Sequence, residues 1–250
     1  MKKIVCVSLV LAVQAFGGVI EGCKEACAPF LFGLIESPSA ASFEAVPVQH
    51  PTDSGDGTWS ADVLFVGGLG SVSGTINSNP DPFLDYSFGV MNLTSSDLTF
   101  SFLFLSPYAG GPFGGLKSSH ASSVTDGGAA PNGAIVISPD AATGFVHNPV
   151  LDGAEITAAA VSPGCALAAA PGFSDNCQGF SLIAVPISSG LTGLFGVRLQ
   201  FTVSPGDLIS LVGRVELLEE LAEPIPEPAY AAIVGLVLVA LSLVGRFRRA

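Results

Sequence analysis

Hydrophobic and polar positions alternate along much of this chain. In "DYSFGVMN", Tyr86, Phe88 and Val90 fall on one face and Ser87, Gly89 and Met91 on the other. "LTFSFLFLS" groups Leu98, Phe100, Phe102 and Phe104, while its opposite face changes from Thr99 and Ser101 to Leu103 and Leu105. "FGVRLQFTV" sets Phe195, Val197, Leu199, Phe201 and Val203 against Arg198, Gln200 and Thr202, and "TWSADVLFVGG" puts Trp59, Ala61, Val63 and Phe65 in phase. A period of two marks a strand with one buried face. Between these runs stand turn signals: "DSGDG", "SNPDP", "NLTSSD", "YAGGPFGG", "TDGGAAPNG" and "VSPGD". Together they predict an all-β body, an antiparallel β-sandwich or jelly-roll-like domain of about nine to eleven strands. "EITAAAV" reads as a strand from its neighbours. "LLEELAEP" reads as the last strand running into an acidic linker. The small-residue stretch from Gly110 to Gly133 reads as a long loop, with "LKSSHASSVT" as an edge strand inside it.

Composition agrees and narrows the partners. At 250 residues the chain has room for one substantial domain. Charged residues are only 12%, and 30 Gly and 18 Pro supply the turns. The net charge is −12. Between Phe16 and Glu223 only Lys24, Lys117, Arg198 and Arg214 are basic. Such a body has no basic footprint for nucleic acid or an anionic membrane surface, so neither is an expected partner.

The start has the parts of a secretory signal: Lys2 and Lys3, then the apolar Ile4 to Val13, then Val13-Gln14-Ala15 as a small-residue cleavage site. The apolar run is too short to span a bilayer core of about 30 Å. Residues 1–15 are thus expected to be a signal peptide and 16–217 the exported domain. A lipid attachment at Cys23 is disfavoured by Glu21. Export removes Cys6 and leaves Cys23, Cys27, Cys165 and Cys177 in an oxidising compartment, which suggests two disulfides. Three pairings are open. Loop length favours the local one, Cys23 with Cys27 and Cys165 with Cys177, the latter closing "CALAAAPGFSDNC". Zinc is the competing reading, but there is no Cys-x2-Cys pair, so no metal or other cofactor is expected.

Catalytic signals are weak. The chain has no Gly-x-Ser-x-Gly elbow. His50, His120 and His147 have no partner set by spacing and read as exposed or edge-strand histidines. Asp53 with Asp56, or Asp81 with Asp85, are carboxylate pairs in principle, but aspartates in such segments hold turns by bonding their own backbone. "DSGDG" is too short for a calcium ladder. Asn92 opens the sequon "NLT". Trp59 lies in core phase. Tyr108 and Phe113, in "SPYAGGPFGG", stand outside strand phase in a Gly-Pro loop and are the candidates for stacking on a sugar. No enzyme activity is expected.

The chain ends "IPEPAYAAIVGLVLVALSLVGRFRRA". After an acidic linker over 218–225, Pro226-Glu227-Pro228 can continue neither strand nor helix and makes a stiff spacer. Residues 229–245 carry no charge and as a helix reach about 25 Å, a single transmembrane segment with slight thinning of the bilayer. Arg246, Arg248 and Arg249 then stay in the cytoplasm, with Lys2 and Lys3 on the same side. This tail, 226–250, resembles a PEP-CTERM sorting signal: the motif, one membrane helix and an arginine-rich terminus, in that order at the extreme C-terminus. The resemblance implies a Gram-negative, biofilm- or exopolysaccharide-forming bacterium. It also implies recognition of Pro226, Glu227 and Pro228 by exosortase, a membrane-embedded cysteine transpeptidase. Strand-like segments such as "VSPGDLISLVGRVEL" are similar to the bodies of tail-bearing proteins of this group.

The expectation is an exported protein, held in the inner membrane before processing and then at the cell surface or outside. Its role there would be structural or interactive, in an exopolysaccharide or biofilm matrix. The alternatives are a carbohydrate-binding module and, behind it, a hydrolase with a carboxylate pair.

Overall fold

The computed structural model describes residues 29–37, 42–47, 51–55, 57–79, 82–109, 113–127, 134–137, 144–161, 164–167, 174–187 and 192–219. They form two antiparallel sheets. Sheet A runs in the order β11 (Ala154–Glu155), β10 (His147–Leu151), β14 (Thr192–Val203), β7 (Leu98–Ala109), β1 (Phe30–Ser37), β2 (Ser42–Val46). In the same sheet β9 (Ala134–Ile137) pairs with both β14 and β12 (Gly164–Leu167). Sheet B runs β13 (Ser174–Pro186), β8 (Phe113–Thr125), β15 (Leu208–Glu219), β6 (Phe83–Asn92), β5 (Gly70–Asn79), β4 (Trp59–Val66), β3 (Thr52–Asp53).

The expected inward faces meet in one core. Phe88 of β6 stacks on Phe102 and Phe104 of β7, with ring centroids 5.7 and 5.2 Å apart, so the two sheets touch through aromatic rings. Phe195, Val197, Leu199, Phe201 and Val203 of β14 are fully buried, as are Ile209, Leu211 and Val215 of β15. β7 is buried on both faces. Its outward Leu103 and Leu105 form a second apolar cluster with Val150, flanked by Phe30, Phe32 and Leu194. The change from Thr99 and Ser101 to Leu103 and Leu105 noted in the sequence is the start of this cluster.

Local chemistry closes the turns. Asp152 and Gly153 have φ of 50° and 83° and join β10 to β11 in a two-residue hairpin, as an Asp-Gly pair favours. Asp53 accepts the Gly55 N–H at 2.8 Å, which bears out the reading of that aspartate as a turn holder. Glu44 of β2 accepts N–H groups of Gly68 and Leu69, at 2.8 and 3.0 Å, and so ties sheet A to the β4–β5 turn of sheet B. Asn92 of the sequon is fully buried and its amide donates to the carbonyls of Ser96 and Val203.

Three expectations change. "EITAAAV" contains a 3-10 turn, Thr157–Ala159, rather than a strand. Its alanines pack without the branched side chains that favour strands. "LKSSHASSVT" belongs to β8, which is no edge strand but lies between β13 and β15. Its inward positions include Ser118, His120 and Ser122, all buried, so burial here carried little hydrophobic signal. The described residues contain fifteen strands rather than nine to eleven, because pieces such as β3 and β11 are only two residues long and show no periodicity. β15 runs through Leu217 to Glu219, where the first compact unit also ends. The signal peptide, Cys23, Cys27, His50 and the tail from 226 lie outside the described residues.

Candidate functional site

The residues expected to stack on sugar are not on the surface. β7 extends through Tyr108 and β8 begins at Phe113, so the supposed loop is only a short connection. Tyr108 and Phe113 are 3% and 7% exposed and pack edge to face, 5.6 Å between centroids. The Tyr108 hydroxyl donates to the Asp152 carboxylate, 3.1 Å away. The aromatic rule for strands won over the Gly-Pro signal, and neither ring offers a free face to a ligand. Trp59 is half-buried at the start of β4, in phase with buried Ala61 and Val63. Cys165 stands opposite Val136 in the β12–β9 ladder, and Cys177 opposite Ser122 where the β13–β8 ladder shifts register.

Two of the three histidines correct the exposed or edge-strand reading outright. His120 on β8 and His147 on β10 are 0% exposed and meet between the sheets. The Tyr86 hydroxyl lies 2.7 Å from His120 Nδ1 and 2.6 Å from His147 Nδ1. His147 Nε2 lies 2.7 Å from Ser118 Oγ. Across the sheet, Gly213 of β15 is the partner of both Tyr86 and His120. A side chain there would run into the tyrosine hydroxyl and ring, so the glycine makes room for Tyr86 to reach the histidines.

The proton count in this knot is constrained. A tyrosine hydroxyl donates one hydrogen bond, so it donates to one Nδ1 and accepts from the other. His120 Nε2 is buried with no hydrogen-bond partner among the described residues. An orphaned lone pair there is less costly than an orphaned N–H. His120 therefore carries its proton on Nδ1 and donates it to Tyr86. Tyr86 donates to His147, whose Nε2–H donates to Ser118. Burial pushes the His120 pKa down from 6.5 to about 4. Burial, and then the neighbouring His120, push that of His147 well below 6.5. Burial likewise raises that of Tyr86. The knot is neutral and sealed, so no substrate reaches it.

One residue further along the same strands the outer face of sheet B is open. Arg214 stands beside Asp85 on one side and Ser119 on the other, and Asp85 beside Asn77, which gives the row Ser119, Arg214, Asp85, Asn77. The next row is Ala121, Val212, Ser87, Thr75. Together these residues line a shallow depression of about 260 Å³. Arg214 donates to Asp85 at 3.1 Å and to Glu216 at 3.3 Å, and its guanidinium lies 4.2 Å from the Phe83 ring centre. Burial raises the Asp85 pKa, against the charge and hydrogen bond of Arg214. This face offers donors and acceptors to solvent but brings no nucleophile and base together. Among the described residues no three His, Cys, Asp or Glu side chains are grouped as metal ligands. Its signal in the sequence was the run of polar outward positions, which period two exposes but does not distinguish from a merely solvated face.

No family model matches the chain, and no curated protein matches it significantly.

Proposed function

We propose that this chain is an exported bacterial surface or matrix protein, sorted by exosortase through its C-terminal tail. Its β-sandwich body serves a structural or interaction role in an exopolysaccharide or biofilm matrix and not an enzymatic one. The observation that carries the reading is the ordered tail: Pro226-Glu227-Pro228, the uncharged 229–245, then Arg246, Arg248 and Arg249, behind an N-terminal export signal. The two-sheet body supports it by offering a rigid, acidic module with polar outer surface. The apolar run anchors the precursor in the inner membrane, and cleavage at or near the motif releases the body to the exterior.

The test separates a sorting signal from a plain anchor. In a host that has exosortase, the mature protein should lack 229–250, as intact mass would show. Glu227→Ala should block processing and leave uncut precursor in the inner membrane. Under the plain-anchor reading that substitution changes neither length nor location. A mature wild-type protein that keeps its arginines overturns the proposal.

A further inference from the structure

The depression on sheet B is shallow, with polar side chains set around an apolar patch at Ala121 and Val212. Its volume of about 260 Å³ is below the roughly 300–1,000 Å³ of pockets that enclose small molecules. A row of four strands spans about 14 Å at ~4.8 Å per strand, so the site suits a chain lying on the sheet. Thr75, Asn77, Ser87 and Ser119 make no side-chain hydrogen bond in the described structure, and all four are accessible. Arg214 is pinned by Phe83, Asp85 and Glu216, so ordering it on binding costs little.

Charge decides the chemistry. The single cation of the depression is already offset by two carboxylates, and the chain as a whole is at −12. A polyanion finds no excess positive charge here. Val212, 55% exposed, is the one exposed large apolar side chain of the depression, too little for the buried anchors of a protein partner. What remains is a neutral ligand rich in hydroxyls, each able both to donate and to accept. Asp85 accepts, Arg214 donates, and Asn77 does both.

Resting on the matrix reading above, we infer that this outer face binds a neutral polysaccharide chain, with Asn77, Asp85 and Arg214 at the centre of the contact. The nearby rings are already engaged, Phe83 by Arg214 and Tyr86 by the buried histidines, so binding is by hydrogen bonds and is weak per molecule. Display of many copies in a matrix compensates by multivalency.

The experiment uses the full-length chain in detergent and the producing cells' exopolysaccharide, separated by anion exchange into neutral and anionic fractions. In affinity gels the neutral fraction should retard the protein. Asn77→Ala and Arg214→Ala should each weaken that retardation about tenfold, the worth of one or two lost polar contacts. Thr202→Ala, on the outer face of sheet A, should leave it unchanged. Retardation by the anionic fraction alone overturns the inference, as does binding that ignores both substitutions. Light scattering that shows a dimer lost in Arg214→Ala overturns it too, by seating a second copy on the face. If the protein fractionates with the matrix in cells but the neutral fraction fails to bind, the face is wrong and the sorting reading stands. If the neutral fraction binds but the mature protein keeps its tail, the reverse holds.

Discussion

Asp85, Ser119 and Arg214 point out of sheet B, while their chain neighbours Tyr86, His120 and Gly213 point in. Both trios occupy the same stretch of β6, β8 and β15, and both carry polar side chains, the inner one at Tyr86 and His120, yet they do opposite work. Inside, the side chains are shut off from bulk solvent, so each polar group needs a partner and a charge is expensive. The tyrosine and histidines remain neutral and each bond is close to obligatory. Outside, Arg214 and Asp85 remain partly solvated, with side chains 39% and 35% exposed, and their bond is worth little to stability. Which side of the sheet a polar residue faces thus decides whether it holds the fold or is free to meet a ligand.

Breaking the inner trio should have the largest effect. Tyr86→Phe keeps the ring and removes the hydroxyl, leaving Nδ1 of both His120 and His147 buried without a partner. At about 1–3 kcal/mol for each orphaned group, a loss of roughly 2–6 kcal/mol is expected, read from urea unfolding at neutral pH. Gly213→Ala should cost about 1–3 kcal/mol by overpacking against the Tyr86 ring, in the same measurement. If either variant unfolds at the wild-type midpoint, the knot is not holding the sheets together.

Acid should expose the same difference without mutation. The unfolded chain protonates its histidines near 6.5, while the folded one holds His120 neutral down to about 4 and His147 neutral to well below 6.5. The unfolded state therefore binds more protons throughout that window. Stability is full above about 6.5 and falls as pH drops, by up to ~1.4 kcal/mol per pH unit for each histidine. The thermal midpoint should decline from pH 6.5 towards pH 4. A flat profile there would mean that the histidines are solvated.

Breaking the outer pair should do least. Arg214→Ala should change stability by less than about 1 kcal/mol and leave the acid profile in place. A large loss of stability in that variant would erase the contrast between the two sides.

Much of this contrast was legible as geometry. The alternation in "DYSFGVMN" assigns Tyr86 inward and Asp85 outward whatever the topology, because successive strand residues point to opposite faces. The same rule failed in β8, where Ser118, His120 and Ser122 face the core. Their polarity hid the period, and the segment read as an edge strand within a loop region rather than as a strand inside the sheet. Tyr108 and Phe113 misled in the opposite way. Nearby Gly and Pro suggested a turn, but the two strands continue almost to their connection, and the rings pack against each other and against Phe195.

The chain's own order of residues determined the all-β antiparallel character, the inward face of β6, β7 and β14, and the linear pattern of the tail, since each depends only on near neighbours. Tertiary structure alone decided that Tyr86, His120 and His147, on three strands of two sheets, share one hydroxyl. It also set Arg214 of β15 between Asp85 of β6 and Ser119 of β8. Period two states which way a side chain points, not what stands opposite. That partner follows from strand order and register, which long-range pairing and the packing of the two sheets set together.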